Sequence, residues 1–465
     1  MITEVSKRIQ ERILKAIDDT DEKCVFSIKC NLVDPNSDYK LEPRYVKAFS
    51  VEQDFYETYT DTVQIQIAIT PEEQKEILAH MQDLECSLIF YRTDVKTGEL
   101  KYDQDPIIKQ FRVFMDNQVD LEKKFNANAF GDSETGQKMS AQQAGALTDF
   151  TMHLITKDLH DLRLATVNSL MVNQTVETAI QYACSTSGIK RIKMVTPDDT
   201  SSHPHIEVPQ MKLFPDFFKH MQSTYGVYAK GLGYYITEEE DETAISIYPQ
   251  FDWAKDTTPE KMVLHIINAA NSQYLGASKY HSQEDDDLYV IAVGKVDVKP
   301  LNSLGAENVG TAYMTANSEQ MLDKFATIGT DGKVKVNDSV VTSVTSQNQA
   351  GNMSSGTQNI MYGGESNNLY ENTTKMAAMN GTILTCAWLS AIPWMIQPGQ
   401  NVTYHFDAAN GEYHTQDGRI LKITYTSKSH PSAASGAPVL TFGAIIQAFL
   451  EPDKKSEDQI QQTSE

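Results

Sequence analysis

Cysteine is scarce and never closely spaced: the five thiols, Cys24, Cys30, Cys86, Cys184 and Cys386, are odd in number and show no CxxC pair. That pattern excludes a disulfide framework and a thiolate zinc site, and it reads as reduced, buried cysteine in a reducing cytoplasm. Long apolar runs are missing as well. The longest, residues 383–396, contains Thr, Ser and Pro and falls short of the roughly 18 apolar residues a helical membrane span needs, so no membrane insertion is expected. Positive charge is in deficit, with 40 Lys and Arg against 63 Asp and Glu, a formal net charge of −23. Such a surplus of acid excludes sequence-independent affinity for a phosphate backbone. The opening segment, Met1-Ile-Thr-Glu-Val-Ser-Lys-Arg, is charged and lacks an apolar core, so no secretory leader is expected.

What is present is ordinary globular material. The chain has 465 residues, 40% hydrophobic and 22% charged, which excludes wholesale disorder and sets a prior of about three domains. Val5, Ile9, Ile13 and Ile17 recur every four residues beside Leu14, the spacing of an amphipathic helix. Alternation then takes over: Cys24, Phe26, Ile28 and Cys30, the run 45–51, and Val63, Ile65, Ile67 and Ile69 against Gln64 and Gln66 predict half-buried antiparallel strands. Thr70-Pro71-Glu72-Glu73 has the form of a capping box and starts a helix ending before Cys86. Runs 87–93 and 107–117 add two strands. Residues 1–125 are therefore read as a first β-domain with an N-terminal helix.

Residues 126–145 read as a polar loop, and 126–257 as an α+β insert with its linker. Within it, 175–187 predicts a helix closed by Gly188, and Pro215, Phe217, Phe218, Met221 and Tyr225 a second helix stopped at Gly226. Two strands follow, joined by the acid run 238–242. Thr258-Pro259-Glu260 predicts a further helix through Met262, Val263, Ile266 and Ile267. Strands at 288–298, 383–389, 402–406, 419–427 and 440–450 form a second β-domain over 258–450, with Asp417-Gly418 as a hairpin turn. Residues 331–372, rich in Ser, Thr, Asn, Gln and Gly, read as a long polar loop, and 451–465 as a flexible tail.

Chemistry is hard to find. GxxxxGK[ST] and GxSxG are absent, Gly231-Leu-Gly233 runs into strand residues, and Ser354-Ser-Gly356 has no strand before it. His203-Pro-His205 offers two imidazoles but no further ligands, and the acid runs 238–242 and 284–287 lack the spacing of a calcium loop. The tyrosines 225, 228, 234, 235 and 248 resemble a base-stacking platform in type, but their acidic neighbours favour packing between helix and sheet. No catalytic residue, metal ligand or cofactor is predicted.

One stretch resembles a known family. The succession Tyr225-Gly226-Val-Tyr228-Ala-Lys-Gly231-Leu-Gly233-Tyr234-Tyr235-Ile, then Ile247-Tyr248-Pro249, is similar to the central hub proteins of bacteriophage tails and baseplates, in which a helix leads into a Tyr-Gly-x-Tyr strand and the next strand ends in Tyr-Pro. The resemblance implies an α+β, mostly β fold: two tail-tube-like β-domains with a small α+β domain inserted between them. It implies a non-enzymatic virion protein assembled in the host cytoplasm, a homotrimer adapting a sixfold tail tube, of a contractile tail, to a threefold central spike among other baseplate proteins. DNA would pass through its acidic lumen without specific binding. A receptor-binding adhesin, with the polar loop as its tip, or a tail-associated cell-wall hydrolase, are the alternatives.

Overall fold

A computed structural model describes residues 25–114, 147–252, 262–297 and 382–451 with short breaks, together with isolated strands between 311 and 360. Strand is the dominant element, and one sheet of fourteen strands carries most of it. Its hydrogen-bond path closes on itself twice. Tyr45–Asp54, Thr60–Ile69, Thr148–Thr156, Ile107–Phe114, Glu85–Arg92, Val25–Val33, Leu440–Leu450 and Tyr413–Ser429 pair in that order, and the last returns to the first. This is a ring of eight. Val263–Asn268, Asn401–Asp407, Tyr413–Ser429, Leu440–Leu450, Thr382–Trp388 and Asp287–Asp297 close a ring of six in the same way. Closure removes the exposed edges that an open sheet must otherwise cover.

The two rings share a wall. Tyr413–Ser429 pairs with the whole of Leu440–Leu450, from Gly418 opposite Leu450 to Ser429 opposite Leu440. The beginning of the first strand pairs with Asn401–Asp407 in the ring of six, and its later part, Lys422 to Thr426, pairs with Tyr45–Asp54 in the ring of eight. The ring of eight therefore takes two of its strands from the region read as the second β-domain, and the two rings are fused rather than separate. Thr148–Thr156, assigned from sequence to the insert, belongs to the ring of eight, paired with Thr60–Ile69 and Ile107–Phe114.

The alternation seen in the sequence has its counterpart in burial. Val63, Ile65 and Ile67 are fully buried while Gln64 is exposed. A single apolar cluster fills both rings, from Phe26, Phe49, Phe90 and Phe442 in one to Leu264, Val290, Trp388 and Tyr404 in the other. Helix Pro71–His80 has the capping box expected of it: Thr70 Oγ1 accepts from the Glu73 amide at 3.2 Å and Glu73 Oε2 accepts from the Thr70 amide at 2.7 Å.

Three expectations need correction. Val263–Asn268 is a strand and not a helix: it lies between two parallel neighbours with Val263, Leu264, Ile266 and Ile267 all buried, and burial on both faces erases the alternation that marks a strand. Asp417-Gly418 is no turn but sits inside Tyr413–Ser429. Glycine is required there because a Cβ would overlap the Phe449 carbonyl and lie 2.9 Å from Leu450 Cα on the paired strand. Finally, the segment 331–372 is not wholly loop, since it holds the strands Val334–Val336, Val341–Gln347 and Asn359–Ile360. The N-terminal helix, the loop 126–145 and the tail after 451 lie outside the described residues.

The insert has its own core. Thr166–Gln174 pairs with His203–Lys212, Leu232–Glu239 pairs with Glu242–Pro249, and Arg191–Met194 joins the latter in parallel. Helix Val176–Thr186 and the helical stretch 213–225 pack on these sheets through Ile180, Phe217, Phe218 and Met221.

Candidate functional site

Of the tyrosines singled out from sequence, Tyr235 and Tyr248, with Pro249, lie where the insert meets the shared wall, whereas Tyr225, Tyr228 and Tyr234 pack within the insert. Strand periodicity explains the division of labour: successive side chains of Leu232–Glu239 point to opposite faces. Tyr234 stacks on Phe218 inside the insert, with ring centroids 4.2 Å apart. Tyr235 faces the other way and joins a small cluster with Tyr248, Phe251, Leu421 and Phe449, the last two from the shared wall. One strand therefore serves two cores.

The loop before that strand is fixed by side-chain bonds. Tyr225 receives the Glu207 amide at 2.6 Å and donates to the Glu207 carbonyl at 3.2 Å. Gly226 takes a positive φ of 79° and returns its amide to Met221, closing the helical stretch. Gln222 accepts the amides of Val227 and Tyr228, both at 3.2 Å, and donates to the Tyr228 carbonyl at 2.7 Å. Tyr228 is buried, and its hydroxyl donates to the Val195 carbonyl. Gly231 has φ +85°, and its carbonyl accepts the Gln250 amide at 2.7 Å. Gly233 pairs with Tyr248 in register.

Across the junction the contacts are polar and specific. Tyr235 donates its hydroxyl to Asp61 Oδ1 of the ring of eight, and Gln53 Nε2 donates to the same oxygen at 3.0 Å. Trp394 Nε1, from the connection preceding Asn401–Asp407, donates to Asp61 Oδ2 at 2.5 Å. Arg419, 1% exposed on the shared wall, donates to the Pro249 carbonyl at 2.7 Å and to Asn401 Oδ1 at 3.3 Å. Its guanidinium lies 5.1 Å from the centre of the Tyr248 ring, a cation–π contact. Tyr248 also fills the space beside Gly399, where a Cβ would overlap the phenol ring at Cζ and its hydroxyl.

The electrostatics make these groups inert to proton transfer at neutral pH. Burial pushes the phenols of Tyr228 and Tyr235 far above their ordinary range, and the Asp61 carboxylate adds to the effect on Tyr235. Burial lowers Arg419 to about 10, still cationic near pH 7. Cys184 and Cys386 are pushed up to about 12 by burial, away from any nucleophilic role. The arrangement is a clasp.

The other sequence candidates do not converge on it. His203 Nε2 pairs with Asp199 at 3.0 Å and His205 is exposed. No group of three or more His, Cys, Asp or Glu able to hold a metal occurs among the described residues. The acid run crosses a strand pair in which Glu239 meets Lys193 at 2.8 Å and Glu242 meets Arg191 at 3.0 Å. Sequence reasoning misses Arg419, Asp61 and Trp394, because each acts across the fold, and Gln222, whose bonds to the loop just after it belong to no motif the sequence announces.

No family model and no curated protein matches the chain. Among solved structures it is similar to the tail protein from Neisseria meningitidis MC58, with a TM-score of 0.45 and 9% identity over 92% of this chain and 97% of that one. It is similar to prophage tail protein gp18 from Listeria monocytogenes EGD-e, at TM-score 0.40 and 9% identity over 93% and 97%. It is also similar to the 43 kDa tail protein of prophage MuSo2 from Shewanella oneidensis, at TM-score 0.39 and 10% identity over 90% and 98%.

Proposed function

We propose that the chain is a structural virion protein, the homotrimeric hub at the tip of a phage tail, adapting a sixfold tail tube to a threefold central spike. The observation that supports this reading is the pair of closed β rings built from one polypeptide. Three such chains bring six rings to one threefold axis, which is the symmetry a sixfold partner requires. The rings act as tube-like units, and the insert, held rigidly by the tyrosine clasp, faces the spike or the surrounding baseplate proteins.

The function is then geometric and not enzymatic. Contact area between subunits, not a pocket, supplies the free energy. Three chains at −23 each give the channel an acidic character, so DNA passes through the lumen without adhering. The test is the mass of the purified protein in solution combined with low-resolution imaging. Three copies of the 52.0 kDa chain around a central hole are expected; a protein that stays monomeric up to high concentration, with no ring in images, overturns the reading.

A further inference from the structure

Beside the clasp, between the ring of eight and the insert, lies a cleft of about 160 Å³ whose wall includes Gln53, Asp61, Lys109, Glu239 and Trp394. Its polar groups are unevenly matched. Asp61 takes three donors, Tyr235, Gln53 and Trp394, and none of them carries a charge. Gln53 is 1% exposed; its Nε2 is committed to Asp61, and its Oε1 meets no donor. A buried acceptor without a donor is an uncommon arrangement in a folded protein, and it marks a place where a donor from elsewhere is missing.

The cleft already attracts a cation. Lys109 Nζ lies 5.5 Å from the centre of the Trp394 ring, a cation–π position, yet it leaves Gln53 Oε1 unmatched. An ammonium is a compact point charge with three donors, whereas a guanidinium is flat, stacks on an indole, and presents five donors in a fixed fork. Glu239 supplies a second carboxylate at the rim, already shared with Lys193 at 2.8 Å.

We propose that this cleft receives a guanidinium cation, the end of an arginine side chain presented by a partner protein, stacked on Trp394 and donating to Asp61 and Gln53 Oε1. Lys109 holds the place in the free chain. A free amino acid fits less well, because the one cationic side chain lining the cleft to meet its carboxylate is Lys109, which the guanidinium displaces. The proposal rests on the cleft alone and stands apart from the hub reading.

The full chain is titrated with N-methylguanidinium, methylammonium and neutral N-methylurea, followed by tryptophan fluorescence and calorimetry, and with the capped tripeptide acetyl-Gly-Arg-Gly-amide. N-methylguanidinium and the tripeptide are expected to bind about tenfold more tightly than methylammonium, with N-methylurea weaker still. Gln53→Leu and the rim variant Glu239→Gln each weaken that binding several-fold, and Lys109→Met, which removes the competing cation, strengthens it. Equal responses to all three small probes, or no change in Glu239→Gln and Lys109→Met, overturn the proposal. Binding of N-methylguanidinium with exclusion of the tripeptide overturns the assignment to a protein partner.

Discussion

Arg419, one residue from the end of the wall shared by both rings, donates from Nη1 to the carbonyl of Pro249, the last residue of the insert's strand Glu242–Pro249, at 2.7 Å. One buried guanidinium thereby ties three bodies together, since Asn401 of the ring of six is its other partner. Lysine cannot reproduce the fork, and methionine leaves both oxygens without a donor. Arg419→Lys and Arg419→Met are each expected to lower stability by about 3 kcal/mol. Urea unfolding followed by circular dichroism measures the loss.

Gly418 and Gly443 make a matched pair on the shared wall. A Cβ at Gly418 would collide with the backbone of Phe449 and Leu450, whereas at Gly443 its nearest neighbour is the Trp388 carbonyl at 3.8 Å. Gly418→Ala is expected to cost at least ~3 kcal/mol or to abolish soluble protein, and Gly443→Ala to change stability by less than ~1 kcal/mol. Thermal unfolding of the two variants side by side decides it.

Acid weakens the ring of six through His405. Its ring Nε2 lies 2.9 Å from His265 Nδ1, and His265 Nε2 lies 3.2 Å from Asp287. Burial, and then the nearness of His265, lower His405 to about 3. An unfolded histidine titrates near 6.5, so below that pH the unfolded chain binds a proton that the folded one refuses. Stability falls as pH drops, by up to ~1.4 kcal/mol per pH unit, until about pH 3. His405→Gln is expected to flatten the dependence between pH 6.5 and 4 while changing little at pH 8. Denaturant midpoints at several pH values test this.

Tyr235 and Trp394 share one acceptor, Asp61, from two different segments. Tyr235→Phe and Trp394→Phe are each expected to cost roughly 1–3 kcal/mol, and the double variant to depart from their sum by about 0.5–1 kcal/mol. A double-mutant cycle in urea measures the coupling; strict additivity would show that the carboxylate does not link them.

Local patterns were legible in the sequence, and distant pairings were not. Thr70 and Glu73 announce their helix because the cap is complete within four residues, and Val63, Ile65 and Ile67 announce a strand because one face is wet. The helix 176–186 with Gly188 beyond it follows the same logic. By contrast, the pairing of Lys422 with Asp54, which closes the ring of eight, spans most of the chain and leaves no local trace. Asp417-Gly418 misleads because glycine, which favours a turn, is also what the close approach of the Phe449 and Leu450 backbone demands at position 418. Val263 to Ile267 misleads because apolar residues on both faces fit a buried helix as well as a buried parallel strand. Of the clasp, the tyrosines and glycines could be singled out from sequence, while their partners Asp61 and Arg419 could not.

Because Tyr413–Ser429 and Leu440–Leu450 serve as a party wall, neither ring owns a complete circumference. No single cut in the chain yields a self-sufficient half, and peeling the common strands from one side opens the other. Mechanical load reaching either ring is carried by the same pair of strands, so the two rings yield together.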